Sequence, residues 1–206
     1  NVYILDKINI NAELNIDAPD CYNIKIIKEE YSNLFYLFYI SNGALIRNTV
    51  RINYETAYNF VTLETVLIAK GVKEYRVKLD GNKIPVVLYF SNEDYSAQFI
   101  DGESKIQKLG YFHGIHCLDF VIAENEPFFF ISTSDRESTG NETKFYISII
   151  YKKNVKRNKW SEDKIAESLF PVISMYAEYS GNYVYLLYAN NNLNFTKIDV
   201  SFTGIY

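Results

Sequence analysis

Four stretches of this chain repeat one pattern, and that repeat narrows the possible folds more than any other feature. Asn33-Leu34-Phe35-Tyr36-Leu37-Phe38-Tyr39-Ile40-Ser41-Asn42 is echoed by Lys83-Ile84-Pro85-Val86-Val87-Leu88-Tyr89-Phe90-Ser91-Asn92. Pro127-Phe128-Phe129-Phe130-Ile131-Ser132-Thr133 follows, then Asn182-Tyr183-Val184-Tyr185-Leu186-Leu187-Tyr188-Ala189-Asn190-Asn191. Aligned on Tyr39, Tyr89, Phe130 and Tyr188, the copies are spaced by 50, 41 and 58 residues. A polar turn precedes each: Glu29-Glu30, Asp80-Gly81-Asn82, Glu124-Asn125-Glu126 and Ser180-Gly181-Asn182. An alternating segment follows each, at Thr49 to Tyr54, Tyr95 to Ile100, Lys144 to Lys152 and Asn194 to Phe202.

Near-continuous apolar runs suit strands buried on both faces, and alternating strands suit positions nearer water. A unit of ~40–50 residues holding one buried strand and progressively more polar neighbours is what a propeller blade requires. The prediction is a single all-β domain over 1–206, β-propeller-like with about four blade-like repeats. The alternative is a two-sheet β-sandwich, in which any Tyr/Phe-rich buried strand reads the same way.

Composition agrees with a folded core. At 206 residues and 48% hydrophobic content the chain is neither disordered nor low in complexity. The longest apolar runs, Leu34 to Ile40 and Tyr183 to Ala189, fall far short of the ~18 residues that cross a bilayer, so membrane insertion is not expected. Net charge is -4, which gives no global basic field, and nucleic acid is not an expected partner. The one basic cluster, Lys152, Lys153, Lys156, Arg157 and Lys159, reads as a solvated hairpin tip offset by Glu162 and Asp163. Tyr54 to Lys70 favours strand through its Val and Thr content. Ser161 to Ser168 reads equally as a short helix capped by Ser161 or as a loop.

The chain opens on Asn1 and its only methionine is Met175, so it reads as a processed or excised chain from which any signal peptide is gone. Cys21 and Cys117 lie outside any metal or redox spacing. In a secreted protein they form one disulfide closing a long loop, and in a cytosolic one they are two small buried hydrophobes. Asn141-Glu142-Thr143 and Asn194-Phe195-Thr196 are glycosylation sequons, which makes Asn141 and Asn194 the candidate acceptors. In a chain this rich in Asn, chance alone supplies about two such triplets, so they do not argue for secretion.

The segment Asn125-Glu126-Pro127-Phe128-Phe129-Phe130-Ile131-Ser132, a polar loop, Lys144-Phe145-Tyr146-Ile147-Ser148-Ile149, a polar turn and then Trp160 resembles a blade of the sialidase-type, Asp-box β-propellers. The box itself is degenerate: Lys153, Val155 and Arg157 stand where Ser, Asp and Gly belong, and only Trp160 remains, with Asn154 nearby. Phe170-Pro171-Val172-Ile173 through Tyr188 reads as the entry and inner strand of the next blade. Within that superfamily the chain looks most like the apicomplexan invasion propellers of the cysteine-rich protective antigen kind, which are catalytically silent adaptors. It departs from them in having two cysteines and about four units where that family is cysteine-rich with six blades.

Residues for catalysis are sparse. Sialidase chemistry needs three converging arginines, and only Arg47, Arg51, Arg76, Arg136 and Arg157 exist, without the Arg-Ile-Pro motif of such enzymes. His113-Gly114-Ile115-His116-Cys117-x-Asp119 holds zinc-type ligands, but the odd spacing of the two histidines puts them on opposite strand faces. The acidic pairs Asp17/Asp20, Glu29/Glu30 and Glu124/Glu126 read as turn formers. No catalytic, cofactor-binding or metal-binding residue is therefore predicted. The expected function is a secreted or surface-displayed, non-enzymatic adaptor that docks another protein through a loop face. A glycan-binding lectin or sialidase-like protein, with Tyr and Trp160 stacking on sugars, is the first alternative. A β-sandwich coat or toxin-complex component is the second.

Overall fold

The computed structural model describes residues 2–5, 11–14, 20–29, 32–53, 59–136, 143–154 and 159–199. These residues form seventeen strands and no helix, in antiparallel sheets, and the chain divides into two compact units, Asn1–Lys73 and Glu74–Tyr206.

The first unit holds a two-stranded sheet, β1 (Val2–Leu5) and β2 (Asn11–Leu14), and a four-stranded one. The latter runs in chain order: β3 (Tyr22–Lys28), β4 (Leu34–Ser41), β5 (Ala44–Asn53) and β6 (Asn59–Ala69). Strands β4 and β5 close on Asn42-Gly43, and both residues have positive φ, which twists the turn to match the strands it joins. Phe35 opposes Val50 in that register, and with Leu37, Tyr39 and Ile52 they make a core onto which Cys21 packs.

The second unit contains three sheets. Strand β7 (Val72–Leu79), whose first two residues belong to the first unit, leads into β8 (Pro85–Ser91), β9 (Ser96–Ile100) and β10 (Ile106–Tyr111). Next come β11 (Ile115–Ala123), β12 (Glu126–Arg136), β13 (Thr143–Asn154) and β14 (Lys159–Ser168), then β15 (Ser174–Ser180), β16 (Tyr183–Ala189) and β17 (Leu193–Asp199). In every sheet the strands neighbour one another in chain order.

The four repeated runs become β4, β8, β12 and β16, each the second strand of its sheet with a partner on both sides. Strand β12 shows why such a run is continuously apolar. Phe129 and Ile131 face a core built with Leu88, Phe99 and Phe120, while Phe128 and Phe130 face another built with Ile149, Met175 and Leu186. Both faces of this strand are therefore dry. Strand β16 departs from that expectation. Its Val184 and Leu186 are fully buried, but Leu187 on the other face is exposed, because no further described sheet of the unit covers that side.

Ser161 to Ser168 is neither helix nor loop: it belongs to β14, paired along β13 with Tyr146 opposite Glu167 and Tyr151 opposite Ser161. The ladder offered by β13 outweighs the weak helical spacing of Ile165 and Leu169. The strand reading of Tyr54 to Lys70 holds for β6.

Candidate functional site

Of the two alternatives for the cysteines, the disulfide is not formed, and both are free thiols. Cys117 turns into the core of the second unit, where its Sγ lies 3.4 Å from the Val172 carbonyl oxygen, and burial pushes the thiol up to about 12. Cys21 packs instead on the Phe35 core of the first unit. Asn194 sits on β17 with its amide donating to Asn190 Oδ1 and the Asn192 carbonyl, both at 3.1 Å. Asn141 lies outside the described residues.

The zinc-type segment is dispersed by the strand that carries it. A bulge between Ile115 and Cys117 interrupts the register. His113 rests against the Tyr95 ring at 5.4 Å, and His116 meets Phe145 edge-on at 5.1 Å. Cys117 and Asp119 turn the opposite way, into the core. No group of three His, Cys, Asp or Glu side chains among the described residues is placed to hold a metal ion. Of the arginines, Arg47 pairs with Glu64 at 2.8 Å and Arg76 pairs with Glu74, while Arg51 is exposed. The side chains of Arg136 and Arg157 lie outside the described residues, as do the side chains of the Asp-box positions 153–158. Trp160 packs edge-on against Phe129 at 5.3 Å, and the Lys152 ammonium sits over its ring at 4.9 Å. Glu29 bonds Ser32 and Tyr36, while Asp17 and Glu30 fall outside the described residues.

Two features of the second unit were not predicted as sites. The first is a cleft of about 300 Å³ where the β7–β8, β9–β10 and β11–β12 turns meet. Two of these turns are conformational twins. Asp80 Oδ1 accepts the N–H groups of Asn82 and Ile84 at 2.9 and 2.8 Å, and Asp101 Oδ1 accepts those of Glu103 and Lys105 at 3.0 and 2.9 Å. Each turn closes on a residue with positive φ, Lys83 and Ser104. The third turn, Glu124-Asn125, has positive φ at both positions. Its Glu126 enters the cleft, while Glu124 turns away to accept the Tyr179 hydroxyl at 3.1 Å, so this predicted acidic pair is split. The repeated Asp-Gly dipeptides at 80 and 101 were the available sequence signal.

The second feature is at the opposite end of the same sheets. Tyr95 in the β8–β9 turn, Tyr111 closing β10, Leu169, Phe170 and Ile173 between β14 and β15, and Leu193 opening β17 are all exposed, Tyr111 to 69%, Ile173 to 70% and Leu193 to 77%. These positions are held in place. The Phe112 N–H bonds the Tyr95 carbonyl at 2.8 Å, Ile173 N–H bonds the Ala189 carbonyl at 2.8 Å, and Asn190 Nδ2 bonds Ser168 Oγ at 2.9 Å.

No protein-family model matches the chain, and no curated protein matches its sequence. Among solved structures it is similar to a provisionally assigned 6-phosphogluconolactonase from Bacteroides uniformis, with a TM-score of 0.47 and 13% identity. The match covers 96% of this chain and 64% of that one, so the chain spans less than two thirds of that protein's length. A similarity of this size assigns neither a fold family nor an activity.

Proposed function

We propose that the chain is a non-enzymatic binding scaffold in which the successive antiparallel sheets act as propeller blades and one loop end docks another protein. A secreted or surface-displayed adaptor is the proposed setting, and it has to be one in which Cys21 and Cys117 stay unpaired. The observation that carries it is the exposed apolar rim of Tyr95, Tyr111, Leu169, Phe170, Ile173 and Leu193 at a single end of the second unit's sheets. Exposed apolar residues scattered singly are ordinary. Six on one end, two of them tyrosines that offer large contact area at low entropic cost, are the makings of an interface core. At the other end of these sheets, among the described residues, only Ile84 and Ile106 are exposed to a similar degree.

Site-specific photocrosslinking tests this. A benzoylphenylalanine placed at Tyr111 or Ile173 is expected to trap a discrete protein partner in an extract of the source cells, and one placed at Ile106 is not. Equal yields at all three positions, or none at the rim, defeat the proposal.

A further inference from the structure

From the cleft at the opposite end we infer a second site, one that takes a neutral saccharide unit and is independent of the docking rim. Its floor is apolar, made by Val86, Phe99, Ile122 and Pro127. Its walls are polar and fixed in advance. Asp80 is locked by the two backbone N–H groups on Oδ1, which leaves Oδ2 as an acceptor without a partner among the described residues. That oxygen lies over Gly102, where an added Cβ would come within 2.6 Å of it. Asn125 Oδ1 lies over Gly81 in the same way, 2.9 Å from where a Cβ would stand. Asp101 Oδ2 accepts Gln107 Nε2 at 3.0 Å, which orients that amide and leaves its carbonyl oxygen for a ligand. Glu126 completes the acceptors, and Lys152 is the one cation among the described lining residues.

These groups select among ligands. Among the described lining residues three carboxylates stand against one ammonium, a balance that disfavours phosphates and acidic sugars. No three of the carboxylates are placed to share one metal ion. Acceptors and amides spread around an apolar floor instead match a ligand whose rim is hydroxyls and whose face is C–H: hydroxyls donate to Asp80 and Glu126 and accept from Asn125 and Asn82, while the sugar ring covers the half-buried Ile122 and Pro127. A cleft of about 300 Å³ stands at the lower end of small-ligand sites and holds one or two rings.

An amide-resolved NMR titration of the whole chain tests the assignment, with chitobiose, lactose and mannobiose as probes and N-acetylneuraminic acid and calcium chloride as separate arms. At least one neutral disaccharide is expected to shift the amides of residues 80–84, 101–105 and 124–126. Asp80→Asn keeps the acceptor that the turn needs and turns the free acceptor into a donor, and it is expected to weaken binding at least about tenfold, as is Glu126→Gln. Glu93→Gln, in a turn at the other end, leaves binding unchanged. Silence with every neutral probe at about 20 mM, in the range of weak millimolar binding, overturns the inference. So do shifts produced only by N-acetylneuraminic acid or only by calcium, and so does an Asp80→Asn variant that binds like the parent. Photocrosslinking at the rim is unaffected by any of these outcomes, so the two sites stand or fall separately.

Discussion

The Asp119 carboxylate on β11 accepts the backbone N–H of Ala177 on β15 at 2.6 Å, although the two strands belong to different sheets. Each is the first strand of its sheet, with one edge lacking a ladder partner in that sheet. Lys78 on β7, itself the edge of a third sheet, extends the same clip: its ammonium bonds Asp119 Oδ2 at 3.3 Å and the Ala177 carbonyl at 2.8 Å. A partly buried ion pair and a side-chain-to-backbone bond thus do for three sheet edges what ladders do inside a sheet. Burial pulls the Lys78 ammonium below its ordinary value, and the Asp119 carboxylate opposes that in part.

The clip predicts an ordering of variants. Lys78→Met strands a carboxylate that is 2% exposed and is expected to cost about 3 kcal/mol. Adding Asp119→Asn removes the stranded charge while keeping an acceptor for Ala177, so the double variant is expected to be more stable than Lys78→Met alone. Urea midpoints for the two single variants and the pair check this. Additive losses would show that Lys78 and Asp119 are not coupled.

Thiol chemistry provides a second prediction. With Cys117 buried against Val172 and its thiol pushed up to about 12, native protein is expected to take a single iodoacetamide label, at the half-buried Cys21. Denatured protein takes two without prior reduction. Intact mass reads both numbers, and a denatured chain that takes no label until it is reduced would restore the disulfide.

How much of this was legible beforehand follows from where each residue's partners lie. The aromatic runs were readable because β4, β8 and β12 are dry on both faces, and dryness is written into the run itself. The strands preceding them were not read as strands. In β7 the charged Lys73, Glu74, Arg76 and Lys78 break up the apolar pattern, and in β11 the His, Cys and Asp residues looked like chemistry. Asp119 makes sense inside a strand only through partners 41 and 58 residues away, which no local pattern reports. The cleft was hidden for the same reason. Asp80-Gly81 and Glu124-Asn125-Glu126 were recognisable as turns, but it takes the packing of two sheets to set them beside Asp101-Gly102.

Gly114 supports a third prediction. Its φ is +66°, and an added Cβ would stand 2.3 Å from Ser134 Oγ, whose own backbone N–H bonds the Gly114 carbonyl at 3.2 Å. Gly114→Ala combines a disfavoured left-handed backbone with a clash, and is expected to cost about 2–3 kcal/mol. Ser134→Ala in the same chain removes the clashing oxygen and is expected to return part of that loss, leaving the backbone cost. Thermal melts of the two single variants and the double variant separate the contributions. If Ser134→Ala returns nothing, the clash is not the cause.

Alkaline pH provides the last prediction. Burial, followed by the hydrogen bond that its hydroxyl donates to Asp163 at 2.7 Å, pushes Tyr151 up to about 12, and burial likewise raises Tyr36, Tyr39 and Tyr89. Unfolded phenols ionise near 10, so between about pH 10 and 12 the folded chain holds protons that the unfolded chain has lost. More protons bound in the folded state means that stability falls as pH rises. The contribution is intact below about pH 10 and gone once pH passes the folded value. Urea midpoints are therefore expected to be level from about pH 8 to 9.5 and to drop steeply above, while the phenolate absorbance of folded protein lags behind that of the denatured chain. Tyr151→Phe cannot ionise and gives up the bond to Asp163. It is expected to be less stable than the parent near neutrality and to lose less on going to pH 11.5, where about a quarter of the parent's Tyr151 would already be ionised if folded. A parent and a Tyr151→Phe variant with the same slope would place the alkaline transition on other groups.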